Sequence, residues 1–162
     1  MTVPATEAKY PAVHPAFSIA IASYDLAVKR WDAWEGRIQT LLAFVTAIGL
    51  GVPAVIHNSL AQAKFSSSWF ILALLAFLAA VVIGIYARFI KGLHVVDPKR
   101  LYNGWLHFSD WEFKKNYIYF AGEHFDLNMK AIGVKRKLAF WMLACFLIGI
   151  ICLTIWAIRA MP

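Results

Sequence analysis

The stretch LAFWMLACFLIGIICLTIWAI, residues 138–158, runs for 21 positions without a charged side chain. An α-helix needs about 20 mostly apolar residues to cross the hydrocarbon core of a bilayer. Two more uncharged stretches precede it, 26 residues between Arg37 and Lys64 and 23 residues between Lys64 and Arg88. The sequence therefore predicts an all-α integral membrane protein with three transmembrane helices.

The composition of the 162-residue chain supports this prediction, because 61% of the residues are hydrophobic and only 15% are charged. Soluble domains average about 45–50% apolar and about 25% charged residues. The first apolar stretch begins near position 38 and is too long for the apolar core of a signal peptide, so we expect the mature protein to keep it.

The basic residues predict the orientation in the membrane, since cytoplasmic loops collect Lys and Arg. Ten of the sixteen lie between Arg88 and Lys137, and four precede Ile38. The N-terminus is therefore expected inside and the C-terminus outside. The predicted segments are a cytoplasmic N-terminal segment with an amphipathic helix, 1–37; transmembrane 1, 38–57; an external loop, 58–68; transmembrane 2, 69–90; a basic aromatic cytoplasmic segment, 91–137; transmembrane 3, 138–158; and an external tail, 159–162.

The first cytoplasmic segment begins with three prolines in 1–16, which predict an irregular start. A helical stripe with steps of three and four follows, and Asp25 and Lys29 form a favourable i, i+4 pair. We expect one long helix into the first span, or two with a kink near Gly36. The stripe consists of Phe17, Ile21, Tyr24, Val28 and Trp31.

In the basic segment, Asp97-Pro98 is expected to end the helix that leaves the second span, since a residue before proline avoids helical geometry. An aromatic-rich connector, 99–108, follows. Ser109 and Glu112 have the spacing of a capping box, so a new helix should begin there and lead into the third span, with or without a break at Gly122 or Gly133. Its apolar stripe is Trp111, Ile118, Phe125 and Ile132, and its polar face is Lys114, Asn128, Lys130 and Lys137.

Two rows of small residues predict close helix packing. Small side chains spaced by four let helices approach each other in lipid, within one chain or between copies. The rows are Ala43, Ala47 and Gly51 in the first span, and Ala76, Ala80 and Gly84 in the second.

Polar residues within the first span share another face at spacings of seven, and they are Gln39, Thr46 and Pro53. Two interpretations remain open for this face, interhelical hydrogen bonding or the lining of a pore. The spans carry no ionisable residue that would mark a proton or ion relay, a pattern that disfavours a coupled pump and is compatible with a passive pore.

No catalytic signature appears among the common motifs, so we expect no enzymatic activity. Cys145 and Cys152 lie seven residues apart, about 10 Å along one helix, too far to pair within it. His57 lies at the edge of the first span, and His94, His107 and His124 lie in the basic segment. This placement disfavours a haem within the bilayer, and we expect no metal and no cofactor.

The basic segment is the most informative part of the chain, with ten Lys and Arg against five acidic residues between Arg88 and Lys137. The positive-inside rule and an interfacial aromatic belt account for such a pattern on their own. The alternative is a site for a phosphorylated ligand, where cations meet phosphates and aromatic rings stack on bases. The candidate ligand residues are Lys99, Arg100, Lys114, Lys115, Lys130 and Lys135.

The layout resembles small bacterial membrane effectors of anti-phage systems, namely SLATT proteins and the membrane components of the Pycsar and Hailong systems. The resemblance is carried by WDAWEGRIQTLL, residues 31–42, and by Asn128 and Lys135 in HFDLNMKAIGVKRKL, residues 124–138. SLATT proteins have two spans rather than three. The resemblance implies an oligomer in the bacterial inner membrane, a nucleotide or a DNA or RNA oligonucleotide as ligand, and a partner nucleotidyltransferase or cyclase.

We therefore expect a homo-oligomeric channel or pore that is gated by a nucleotide or oligonucleotide at the basic segment. The main alternative is an accessory or scaffold subunit of a larger membrane complex with no ligand of its own. A membrane-anchored enzyme and a sensor of the lipid surface are the remaining alternatives.

Overall fold

The computed structural model describes residues 10–59, 68–90, 92–95 and 97–160, with no side-chain detail for 53–59, 98, 100 and 160. The described residues form four α-helices and no strand. These are α1, Val13–Ser59; α2, Ser68–Phe89; α3, Pro98–Gly104; and α4, Asp110–Ala160. The predicted all-α class is confirmed for this part of the chain.

Helices α1 and α4 contain 47 and 51 residues, so each extends well beyond the span predicted within it. Helix α1 begins at Val13 rather than near Phe17, so the predicted irregular start is too long. Each helix continues past the glycines where a kink or break was considered, which were Gly36, Gly122 and Gly133.

Two features that short-range sequence patterns predicted are confirmed. The capping box is confirmed, because the Ser109 backbone N–H donates to Glu112 Oε2 at 3.1 Å and the Glu112 N–H donates to Ser109 Oγ at 3.3 Å. The Asp25–Lys29 ion pair is also confirmed, at 2.7 Å between Asp25 Oδ2 and Lys29 Nζ.

The expectation for Asp97-Pro98 was wrong. Helix α2 already ends at Phe89, and Asp97 caps the start of α3 by accepting the Lys99 backbone N–H at 2.9 Å. Proline is accepted in the first turn of a helix, where its missing N–H would have no partner anyway. The predicted connector 99–108 therefore contains most of a short helix.

The chain divides into two compact units. Among the described residues, unit 1 contains positions up to 32 and from 92 to 132, and unit 2 contains 33–59, 68–90 and 133–160. Helices α1 and α4 each contribute residues to both units, whereas α2 belongs to unit 2 and α3 to unit 1.

Unit 1 is held together by aromatic contacts between α1, α4 and Trp105, the residue that follows α3. The Phe17 ring lies 5.1 Å from that of Tyr117, and the Trp105 ring lies 5.2 Å from that of Phe120. The predicted apolar stripes of α1 and α4 are partly or fully buried, except for Ile21, which is exposed. Edge and tilted ring pairs of this kind stabilise beyond their buried area.

Unit 2 packs segments of α1, α2 and α4 around one apolar core. Its buried residues are Val45, Ala73, Phe77, Ala80, Met142 and Cys152. Close approach of the helices depends on glycines, since a Cβ on Gly149 would come within 2.7 Å of the Phe77 ring, and one on Gly84 within 3.0 Å of Leu42 Cδ1 and Met142 Cε. Helices packed through small residues gain dispersion contacts that lipid cannot supply.

Two described helices are long and apolar enough to cross a membrane, α2 and the later part of α4. Most residues of these apolar stretches are not buried within the chain, unlike those of a soluble protein's core helix. Their exposed side chains include Leu75, Leu78, Val82, Phe140, Leu147 and Ile151. An uncovered apolar surface of this extent is typical of a membrane or protein contact.

Candidate functional site

The structure places the candidate ligand residues in different surroundings rather than in one cluster. Lys99, Lys115 and Lys130 are exposed. Lys114 is mostly buried and Lys135 is fully buried. Arg100 belongs to α3, and its side chain lies outside the described residues.

Lys114 is engaged inside unit 1. Its ammonium group donates to Asp110 Oδ2 at 2.6 Å and to His14 Nδ1 at 3.0 Å, and it lies 5.9 Å from the centre of the Phe17 ring. These contacts connect α4 to the start of α1. Lys114 therefore contributes to packing within unit 1, and the sequence pattern alone did not show this.

Lys115 is the better placed of the two neighbouring lysines for an external anion. Its ammonium group lies 5.4 Å from the centre of the Trp111 ring, a cation–π geometry. A cavity of about 420 Å³ lies beside it, and its lining is mainly apolar. Residues of this lining include Tyr10, Val13, Ala16, Trp111 and Ile118.

Asn128 was assigned to the polar face of its helix, but the structure buries it. Asn128 is 1% exposed, and its side-chain amide pairs with the backbone of His94. The His94 N–H donates to Asn128 Oδ1 at 2.8 Å, and Asn128 Nδ2 donates to the His94 carbonyl at 3.1 Å. Because the buried amide completes hydrogen bonds that the irregular backbone at 92–95 would lack, its burial is stabilising.

Tyr24 of α1 also binds the backbone of His94, because its hydroxyl donates a hydrogen bond to the His94 carbonyl at 2.7 Å. We call the bonds of Asn128 and Tyr24 to this backbone the His94 tie. It fixes the segment 92–95 to both α1 and α4. Sequence reasoning missed it because the partners are 34 and 70 residues apart.

Unit 2 contains a second group of polar side chains, the ionic cluster of Glu35, Arg88 and Lys135. The Lys135 ammonium donates to Glu35 Oε2, and Arg88 Nε lies 3.7 Å from Glu35 Oε1. Exposed side-chain fractions are 1% for Lys135, 26% for Glu35 and 52% for Arg88. Lys135 was a candidate ligand residue, but its buried ammonium already has a carboxylate partner, so we leave it out of the proposed site.

The ionic cluster joins all three helices of unit 2 next to an apolar layer formed by Ile38, Ala87 and Ala139. Glu35 lies in the first of the two stretches that carry the resemblance, and Lys135 lies in the second. The sequence offered only one signal for this contact, an acidic residue close to the predicted start of a span.

The predicted pore and packing residues are split between the surface and the core. In α1, Gln39, Thr46, Ala43, Ala47 and Gly51 are exposed, and Thr46 Oγ1 donates to the Leu42 carbonyl at 2.8 Å. The Pro53 side chain lies outside the described residues. In α2, Ala80 and Gly84 are buried in unit 2, and Ala76 is half-buried.

Among the described residues, the α1 row is therefore exposed, whereas two of the three residues of the α2 row are buried in the core of the unit. At 100° per residue, Ala47 lies almost opposite Val45, which faces the core. Within the described part of unit 2, this outer face of α1 is therefore exposed.

No protein-family model, curated protein or solved structure matches this chain.

Replacing Asn128 by Ala is expected to loosen the segment 92–95, because the His94 N–H loses its side-chain partner and the His94 carbonyl keeps only the bond from Tyr24. Amide hydrogen exchange of peptides that contain His94 should accelerate about tenfold, as expected for the loss of roughly 1–1.5 kcal/mol of hydrogen bonding. Asn116→Ala, on the same helix, is the control and should leave this exchange unchanged. Equal exchange in the two variants would contradict the tie.

Replacing Glu35 by Gln should destabilise the protein, since the buried Lys135 ammonium loses its counter-charge. Removal of one partner from a fully buried pair costs about 3–5 kcal/mol, and the partial exposure of Glu35 lowers this to about 2 kcal/mol. The thermal unfolding midpoint in detergent should fall clearly below that of the control Glu123→Gln, whose carboxylate is exposed.

The double variant Glu35→Gln, Lys135→Met should recover most of the loss, because the buried charge itself is removed. A double variant that is no more stable than Glu35→Gln would show that the ion pair is not the cause.

Proposed function

We propose that this chain is a homo-oligomeric ion channel or pore of the bacterial inner membrane that acts as an effector in anti-phage defence. Unit 2 would form the membrane part, with α1 supplying a third crossing beside α2 and α4. Unit 1 would be cytoplasmic and bind a nucleotide or oligonucleotide. The N-terminus would be inside and the C-terminus outside, in keeping with the distribution of Lys and Arg.

The observation that carries the proposal is the difference between two surfaces of unit 2, one formed by α2 and α4 and the other by α1. Large apolar side chains of α2 and α4 are uncovered, which suits lipid. The outer face of α1 also exposes Phe44 and Leu50, but it combines them with small and neutral polar residues. A helix face of Ala43, Ala47 and Gly51 is suited to contact another helix at short range. In a closed ring of copies, Gln39 and Thr46 on the adjacent face would come together around an axis.

The continuity of α4 supports a gating role for unit 1. The helix runs without interruption from Lys115, beside its cavity, to the apolar residues of 138–158. A ligand that binds one pore state more tightly than the other shifts the population toward that state. A partner nucleotidyltransferase or cyclase would produce that ligand.

Reconstitution into liposomes tests the proposal. The wild-type protein should behave as an oligomer in mild detergent by light scattering, and it should pass ions when nucleotides or short oligonucleotides are added. Ala47→Leu should shift the mass toward a monomer and abolish the flux, because the bulky side chain separates the copies. Thr154→Leu, at an exposed position of α4, is the matched control and should preserve both properties.

Lys115→Glu should raise the ligand concentration needed for flux without changing the oligomer. A wild-type protein that is monomeric and passes no ions under any of these conditions would refute the proposal. Stability only in the presence of a different, larger membrane protein would favour the accessory-subunit alternative.

A further inference from the structure

Positive charge exceeds negative charge in unit 2 at the level of the ionic cluster. Glu35 is the only acidic residue in the described part of unit 2, and its carboxylate is already engaged within the cluster. Three further cations are exposed there and have no carboxylate partner among the described residues, and they are Arg37, Arg136 and Lys137. We call these three residues the basic belt. The described part of the chain therefore leaves three positive charges for an external anion.

The basic belt lies at one level on two neighbouring helices. In unit 2, α1 and α4 run in the same direction, because Glu35 pairs with Lys135 and, further along both helices, Ile38 packs in one buried layer with Ala139. The belt residues of both helices lie between these two contacts in the sequence. They therefore form one level directly before the apolar layer.

The length of the apolar part of α4 matches a membrane that begins at this level. Arg159 lies 22 positions after Lys137, about 33 Å along a helix, and a hydrocarbon core is about 30 Å thick. The Arg159 guanidinium lies 5.5 Å from the centre of the Trp69 ring, and the Arg37 guanidinium lies 4.8 Å from that of Trp34. Tryptophan is enriched at both interfaces of a membrane with water. The belt therefore matches the position of lipid phosphates.

An exposed apolar face begins directly after the belt residues of α4. Phe140 and Trp141 are 65% and 59% exposed, and each lies four residues after a belt cation, on the same side of the helix. The face continues with exposed aliphatic side chains, which include Leu147, Ile148 and Ile151. Cations, aromatic rings and aliphatic side chains thus follow one another in the order of the phosphate, glycerol and acyl chains of a phospholipid.

The charge and the apolar face together favour one class of occupant. A soluble anion would neutralise the belt but leave the apolar face uncovered. A zwitterionic phospholipid would cover the face, but it carries a cationic amine beside its phosphate and adds no net negative charge. An anionic phospholipid provides both, and Lys and Arg close to a membrane surface attract such lipids.

We propose that the basic belt binds the headgroups of anionic phospholipids, such as phosphatidylglycerol, in the membrane leaflet next to the ionic cluster, with the acyl chains along the exposed face of α4. The belt thereby gives unit 2 a preference among lipids, in addition to the orientation that Lys and Arg impose during insertion. The inference uses the membrane position proposed for unit 2 and does not depend on a pore.

Lipid retention by the full-length protein in detergent tests the proposal, because the purified protein no longer needs positive charge for its orientation. The protein is incubated with equal amounts of phosphatidylglycerol and phosphatidylcholine that carry the same acyl chains, and native mass spectrometry counts the retained lipids. Phosphatidylglycerol should be retained about fivefold or more over phosphatidylcholine, the effect typical of at least one Lys or Arg beside an anionic lipid. Glycerol 3-phosphate, which has the phosphate without acyl chains, should not displace it at equal concentration.

The double variant Arg136→Gln, Lys137→Gln should lower this preference about fivefold or more, because two of the three belt charges are lost. The double variant Arg136→Lys, Lys137→Arg keeps both charges and should keep the preference. Lys99→Gln, Lys115→Gln is the matched control, since it removes the same charge from exposed positions of unit 1, and it should retain lipids like the wild type.

Three results would each overturn the inference. Equal retention of the two lipids by the wild type would show that the belt serves orientation only. Equal effects of the belt variant and the unit 1 control would show that overall charge is the cause. Displacement of the lipid by glycerol 3-phosphate would assign the belt to a soluble phosphate.

The outcome is separable from that of the proposed function. A preference for phosphatidylglycerol that requires the belt, in a protein that passes no ions, would keep the belt and reject the channel. Nucleotide-triggered flux in a protein that retains both lipids equally would reject the belt and keep the channel.

Discussion

The ion pair between Lys135 and Glu35 is the contact on which the arrangement of unit 2 depends. A buried ammonium group is tolerated only with a counter-charge, so α1 and α4 must meet at these two residues. Arg88 brings the end of α2 to the same carboxylate. The registers of all three helices are thereby set relative to one another at one level.

From that level, the buried residues of unit 2 form successive apolar layers. Ile38, Ala87 and Ala139 come first, followed by the core that contains Val45, Ala80 and Met142. No charged side chain follows until Arg159 in α4, and none precedes Arg88 in the described part of α2. The ionic cluster therefore marks the point where charged sequence gives way to apolar sequence in each helix, which is where a bilayer edge would be expected.

The sequence predicted features whose cause is local. The capping box at Ser109 and the Asp25–Lys29 pair depend on spacings of three and four, and the apolar length of α2 depends on composition alone. Asp97-Pro98 was misjudged because a proline that ends one helix and a proline that starts another look the same without the geometry of the cap.

The buried polar contacts were beyond sequence reasoning, because their partners are distant along the chain. Asn128 and Lys135 each follow a residue of the apolar stripe by three positions, about 60° around the helix, whereas Lys130 and Lys137 lie about 140° from it. The helical period therefore separates the two pairs, but it does not identify the partners of Asn128 and Lys135. Asn128 is hydrogen-bonded to the backbone of His94, 34 residues away, and Lys135 is hydrogen-bonded to Glu35, 100 residues away. The predicted set of ligand lysines was reduced accordingly, because Lys114 and Lys135 are engaged in contacts within the two units.

We propose that α4 crosses the bilayer once between Ser109 and Arg159, with the ionic cluster at the cytoplasmic edge. Cysteine accessibility in intact bacterial cells tests it most directly, on a background in which Cys145 and Cys152 are replaced by Ala. An impermeant maleimide should label Arg159→Cys in intact cells, and Ser109→Cys only after permeabilisation. Labelling of both positions in intact cells, or of both only after permeabilisation, would place them on one side of the membrane and contradict the account.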